Sequence, residues 1–387
     1  MAKITIIKNV RVFDGDAVSG PKTVVIEGSR IGDDVLADGA DSSTAIVVDG
    51  TGRTLLPGLI DCHVHIGDEA QLAACASYGV TTVCDMGCMP LEKYVKLRAA
   101  KGPTTWLSSS LPAYEENSIH GKLFKFAGVA PDHAVHGTDE VEKFVQNRID
   151  EEANYIKVIA DFPGHEQAIL NQVQVEAKKH GKMTVAHTAH YLAFDRGLQA
   201  DFDILTHVPT DKVLDDNIVD RLVSQETVAV PTLAMMQRMA DSWILWGLSW
   251  ILSSFKRRNF QVALDSVAAM HNGGVPIVAG TDANNSGLFT LVAGKSLHHE
   301  LQLLVRAGLT PIEALRAATS LAALYFNLQD RGRIVSGLRA DLVLVDGNPD
   351  EDITVTQKIS NVWSNGEEVP ILSAAERRAG LGNCAVM

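Results

Sequence analysis

Positive charge is in short supply in this chain. Against 47 Asp and Glu there are 34 Lys and Arg, a formal net charge of −13 over 387 residues. Binding to phosphate needs a basic surface, so nucleic acid is excluded as the main partner. Cysteine is scarce as well. The five present (Cys62, Cys75, Cys84, Cys88 and Cys384) show no spacing that suggests a disulfide framework, and Cys84 and Cys88 have no second pair to complete a zinc knuckle. Buried thiols in a reducing compartment are the expectation. No apolar run reaches membrane-spanning length. Residues 1–8 alternate like a strand and lack the apolar core and cleavage site of a signal peptide. Internal repeats and low-complexity linkers are missing too. What remains is a soluble, cytoplasmic enzyme acting on a small molecule, with 46% hydrophobic residues to build its core.

The length suits one large barrel plus a small satellite. Short strands at 4–7, 23–26 and 45–48 are separated by glycine turns, and strands recur at 341–345 and 359–363 before an Asn365-Gly366 hairpin turn. Neither end has enough strands to bury a core alone. The expectation is one composite β-sandwich built from residues 1–54 and 338–370, with a tail at 371–387. Between the ends, strands alternate with helical patterns, as in parallel βα units. Candidate strands at 56–62, 80–86, 103–110, 155–160, 183–187, 203–207, 227–232 and 275–280 predict a (β/α)8 TIM barrel over 55–337. The active site of such a barrel lies at the C-terminal ends of its strands.

Chemistry-bearing residues cluster at those ends. Asp61-Cys62-His63-Val64-His65 closes the apolar run 55–60, and histidines at i and i+2 of a strand share a face. Lys157 lies inside the apolar run 155–159, His187 ends 183–187, His207 ends 203–207, and Asp282 follows 275–281. Each has an ordinary reading: a lysine snorkelling from a strand end, histidines bonded to backbone, an aspartate capping a helix. Together they suit a two-metal hydrolytic site.

The order His63-x-His65, Lys157, His187, His207, Asp282 resembles the amidohydrolase superfamily, in its two-metal branch with a carboxylated lysine. Segments 307–315, 317–319 and 337–349 are similar to its imidazolonepropionase-like and prolidase-like members. The likeness covers the whole chain except roughly the last fifteen residues. It implies that His63 and His65 hold one divalent ion with Asp282, that His187 and His207 hold a second, and that Lys157 bridges both as a CO2-derived carbamate. Burial in an apolar strand would lower the amine's pKa and favour that reaction. Zinc suits so many imidazoles. The implied chemistry is attack by a metal-bridging hydroxide, with Asp282 taking its proton and passing it to the leaving amine. His120, within 117–121, is similar to the histidine of a Gly-Gly-His-Gly loop that contacts the substrate carbonyl, an oxyanion role. Ser118-Ile119 replace the two glycines, so a stiffer loop is expected.

Other residues carry weaker expectations. His190 and Tyr191 follow the fifth-strand ligand and would bind substrate at the rim, with helix packing as the alternative for Tyr191. Arg196 is a carboxylate partner or, more simply, a surface arginine. Trp243, Trp246 and Trp250 share one helical face, either packed on the barrel or lining the site. Cys384-Ala385-Val386-Met387 matches a prenylation box in a eukaryotic chain and is otherwise a chance match. A homo-oligomer is left open. The expected function is a metal-dependent hydrolase cleaving an amide bond in an N-acyl amino acid, a dipeptide-like compound or an aromatic amide. The alternatives are hydrolysis of a cyclic amide or lactone, and a non-hydrolytic biosynthetic member using the metals as Lewis acid for cyclisation or decarboxylation.

Overall fold

The computed structural model describes residues 3–33, 45–126, 133–242, 259–284 and 289–372. Trp243, Trp246, Trp250 and Cys384 lie outside the described residues. The chain opens with β1 (Ile4–Phe13), β2 (Val18–Glu27), β3 (Arg30–Ile31), β4 (Ile46–Asp49) and β5 (Arg53–Pro57). Two parallel sheets follow: β6 (Leu59–Val64), β7 (Val80–Asp85) and β8 (Thr105–Ser108), then β9 (Ile156–Ile159), β10 (Thr184–His187), β11 (Ile204–Thr206) and β12 (Val228–Val230). Helices separate most of these strands, so the architecture is α/β. The chain closes with β13 (Leu342–Asp346), β14 (Ile359–Ser364) and β15 (Glu367–Glu368).

Both chain ends share one mixed sheet, in the order β15-β14-β13-β5-β1-β2-β3, with β4 also paired to β1. Its seam is the antiparallel β5–β13 ladder, Pro57 opposite Leu342 through Arg53 opposite Asp346. One apolar cluster holds the sheet: Ile7, Val10 and Val12 from β1, Leu55 from β5, Leu342, Leu344 and Trp363 from the far end. β14 and β15 are joined by Asn365 and Gly366, both at positive φ (51° and 78°), which is the backbone a two-residue hairpin requires.

The predicted strand 56–62 divides. Gly58 ends the first sheet and opens the second, and a Cβ there would lie 2.2 Å from Thr81 Oγ1, so only glycine permits the crossing. β6, β7 and β9 are buried along their whole length, as expected where both faces are covered, while β8 is only partly buried. The predicted strand 275–280 forms no ladder of its own. Pro276 has no N–H to give, and the segment instead makes single parallel bridges, Ile277 to Ala229 and Ala283 to Val64. A further bridge links Ala113 to Val158, between the segment after β8 and β9. Ile60, Cys62, Cys84, Tyr155, Val185, Ile204, Val228 and Val278 meet in one apolar cluster, which the helix Ser320–Tyr325 joins through Ala322 and Ala323. Four free cysteines (Cys62, Cys75, Cys84, Cys88) are buried, as their apolar settings predict. Among the described residues no helix is long and apolar enough to cross a membrane.

Candidate metal centre

β6 carries His63 near its end and hands the chain to His65. Across from it runs the 281–283 segment, held by Asp282 N donating to His63 O (2.7 Å) and His65 N to Ala283 O (2.8 Å). Asp282 sits at φ 56°, a left-handed backbone that is uncommon for a non-glycine residue, though Asp adopts it more readily than most. This turns its carboxylate inward. Oδ1 lies 3.4 Å from His63 Nε2 and 3.2 Å from His65 Nε2. Beneath them Asp61 accepts from Thr281 Oγ1 (2.7 Å), Thr281 N (3.0 Å) and His63 N (3.2 Å), tying the two ligand segments together. Burial pushes the Asp61 carboxyl up to about 7, against those hydrogen bonds.

A second group lies beside the first. His187, at the end of β10, pairs through Nε2 with Asp161 Oδ2 at 3.0 Å. Asp161 Oδ1 accepts from Ala189 N (2.9 Å) and lies 3.5 Å from His190 Nδ1. The His120 ring is 4.5 Å from that of His187, and His120, Asp161 and His187 each offer one ligand atom within 4.8 Å of the others. Burial lowers His120 to about 3, so its ring is neutral. The expected loop around His120 is the first turn of a helix, Ile119–Phe126. Ser118 Oγ accepts from Gly121 N (2.9 Å) and donates to Glu115 O (2.6 Å), which is the work a helix-capping serine does.

His207 and Lys157 stand between the groups. The His207 ring is 4.8 Å from that of His63 and 4.1 Å from that of His187. Its Nδ1 pairs with Thr232 Oγ1 at 2.8 Å, while Nε2 is buried without a hydrogen-bond partner. His63 Nδ1 is likewise buried and unpartnered. Burial holds both rings well below the ordinary imidazole range, leaving them neutral with lone pairs to offer. Lys157 Nζ donates to Thr206 Oγ1 at 2.8 Å. Burial pulls its ammonium down to about 7, although Asp282 and Asp161 draw it upward.

The donor set fits divalent cations. Tetrahedral zinc with bonds of about 2.0–2.1 Å places its ligands about 3.3 Å apart, close to the 3.2 and 3.4 Å separations around Asp282 Oδ1. His65 Nδ1 lies 3.1 Å from Gly87 O, a partner that can only accept; the ring proton therefore sits on Nδ1, leaving the Nε2 lone pair toward the centre.

His63, His65, His120, Lys157, His187, His207 and Asp282 are thus drawn together, and His190 reaches the group through Asp161. Tyr191 has its own partners. Its hydroxyl is bonded to Asp215 Oδ2 (2.5 Å) and Lys212 Nζ stands 3.6 Å from its ring centroid. Arg196 is neither a carboxylate partner nor a plain surface residue, since its guanidinium donates to the carbonyls of Ala160, Asp161 and His165. Sequence reasoning missed Asp161, although an acid just past the Lys157 strand is the same signal that singled out Asp282. It also missed Thr206, Thr232 and Asp61, for which no signal stood out.

Residues 54–369 match the family model for the amidohydrolase family. Ochratoxinase from Aspergillus niger is 26% identical over 378 residues, covering 81% of this chain and 75% of that enzyme. Imidazolonepropionase from Idiomarina loihiensis is 24% identical over 384 residues, covering 85% and 87%. Among solved structures, a putative prolidase from Bifidobacterium longum superposes with a TM-score of 0.79 at 22% identity, covering 98% of each chain. A Xaa-Pro dipeptidase with bound methionine gives 0.76 at 23%, covering 95% of this chain and 99% of the other. At these identities the structures speak for a shared TIM-barrel-like α/β fold. The family match runs from β5 through every residue of the candidate metal centre to the closing strands, and the chain therefore belongs to the amidohydrolase family, as a hydrolase acting on carbon–nitrogen bonds.

Proposed function

We propose that this protein is a two-metal hydrolase that cleaves an amide bond in a small molecule, of the N-acyl amino acid, dipeptide-like or aromatic amide kind. The observation that carries the reading is the convergence of four imidazoles, Lys157 and Asp282 at one end of the parallel sheets, with Asp282 Oδ1 3.4 Å from His63 Nε2 and 3.2 Å from His65 Nε2, and His207 Nε2 buried and unpartnered. His63, His65 and Asp282 would hold one divalent ion, His187 and His207 the other, with Lys157 between them as a carbamate. Bound there, two zinc ions supply Lewis acidity for the scissile carbonyl and acidify the attacking water. Asp282 takes the proton of that water and returns it to the departing amine. His120, neutral and close to His187, donates to the carbonyl oxygen as charge develops on it. Lys157 can react with CO2 because the neutral amine is present near neutral pH.

The same reading takes the two parallel sheets and their connecting bridges as one closed (β/α)8 barrel over 55–337, with residues 1–54 and 338–370 as the composite domain. Relatives whose structures are described as a Xaa-Pro dipeptidase and a phenylurea hydrolase support an amide-type bond. Incubating zinc-loaded protein with N-acyl amino acids, dipeptides, aromatic amides and lactones, with products followed by mass, tests it. Cleavage of at least one amide class is expected. Lactone opening alone, or products of cyclisation or decarboxylation, would overturn it.

A further inference from the structure

One metal-facing histidine is held in an unusual way. Thr232 is the N-cap residue of the helix Leu233–Ala240, yet its side chain makes no capping hydrogen bond. A threonine at that position normally turns its hydroxyl to a free amide of the first turn. Here the hydroxyl points to His207 Nδ1, 2.8 Å away. The first amides of the helix are satisfied from elsewhere: Leu233 N donates to Glu300 Oε1 (2.9 Å) and Ala234 N to Glu300 Oε2 (2.6 Å). Glu300 belongs to another helix, Lys295–Arg306, and both it and Thr232 are fully buried. Thr232 and His207 also both occupy left-handed backbone, at φ 50° and 74°. Threonine is β-branched and poorly suited to that conformation. Two strained residues facing each other through one hydrogen bond need outside support, and the carboxyl group of Glu300 fixes the turn that carries one of them.

We infer that Thr232 and Glu300 form a positioning relay: Glu300 takes over the capping of the helix, which frees the Thr232 hydroxyl to pair with His207 Nδ1 and hold the ring so that Nε2 is turned to bind a metal ion. The inference rests on the two-metal reading above. A neutral imidazole has one N–H and one lone pair. If Nδ1 donates to Thr232 Oγ1, the lone pair falls on Nε2, the atom that is buried without a partner. Were the hydroxyl engaged by the helix, Nδ1 would lose this partner and ring rotation would be less constrained. Neither residue would touch substrate; both act through His207.

Three variants test the relay: Thr232→Ser, Thr232→Val and Glu300→Gln. Each is loaded with zinc, dialysed against graded chelator and assayed for zinc retained per chain, with thermal melting of the metal-free form measured in parallel. Serine keeps the hydroxyl and should match the wild type. Valine keeps the shape and loses the hydroxyl, so retention at one of the two sites should weaken roughly 10–100-fold. Glu300→Gln should weaken the same site by less, since the amide can still accept one of the two N–H groups. If Thr232→Val does not fold, Thr232→Ala removes the hydroxyl without a polar-for-methyl misfit and carries the same expectation. Retention by the hydroxyl-free variant equal to wild type overturns the relay, as does equal loss in Thr232→Ser, which would assign the effect to packing. Wild type that binds zinc while the variants behave alike sinks the relay only. Wild type that binds none sinks the two-metal reading as well.

Discussion

The two halves of the candidate metal centre are built differently. His63, His65 and Asp282 are locked by backbone: β6 and the 281–283 segment exchange N–H···O bonds at 2.7 and 2.8 Å, and the buried Asp61 pins both from below. Around the second proposed site, β9 and β10 pair by backbone as far as Ala160 N donating to His187 O (3.1 Å), but beyond that ladder His187, Asp161 and the separate segment of His120 meet through side chains, with the Asp161–His187 bond at 3.0 Å as the main tie. Backbone pairing fixes ligand positions through the fold itself. Side-chain ties fix them locally, so one substitution should loosen the second half without disturbing the first.

The largest effect should come from the backbone-locked half. Asp282→Asn preserves size but cannot shuttle a proton, and kcat should fall roughly 10²–10⁴-fold with the fold intact. A near-normal kcat would show that the proton travels elsewhere. Lys157→Ala, between the halves, should remove most activity and regain part of it when a short carboxylic acid is added. An active variant that needs no added acid would count against a carbamate bridge. Asp161→Asn sharpens the comparison directly: zinc retention should weaken roughly 10–100-fold at one site and stay unchanged at the other. Equal weakening of both sites would mean that the halves are not independent.

The smallest effect concerns Asp61 and pH. Burial raises its folded pKa to about 7, above the unfolded value of about 3.9. A raised carboxyl contributes stability that is complete below the unfolded value and is lost as pH rises through the folded one. Melting of metal-free wild type should therefore decline relative to Asp61→Asn between about pH 4 and pH 7. Parallel melting curves for the two proteins would remove Asp61 from the account.

The same contrast explains what could be read from the sequence. His63, His65 and Asp282 were legible because strand alternation and strand ends are periodic features of the chain. The likeness to imidazolonepropionase-like and prolidase-like proteins was legible too, and it recurs in the comparisons. Asp161 was passed over although it follows the Lys157 strand much as Asp282 follows 275–281; its partner His187 lies 26 residues later, and the meeting of the two is not encoded locally. Thr232 and Glu300 were beyond reach for the same reason, being 68 residues apart and joined only in the fold, like the left-handed backbone at His207 and Asp282. Tyr191 drew notice by nearness in sequence; its partners Asp215 and Lys212, 24 and 21 residues later, are joined to it only in the fold. The strand at 275–280 was anticipated from apolar content, and Pro276 reduced it to single bridges.

The central claim, that both halves hold metal, is tested most directly by elemental analysis of protein purified without chelator and supplied with zinc and bicarbonate. Two zinc ions per chain are predicted. A reproducible value of one or none would contradict the account.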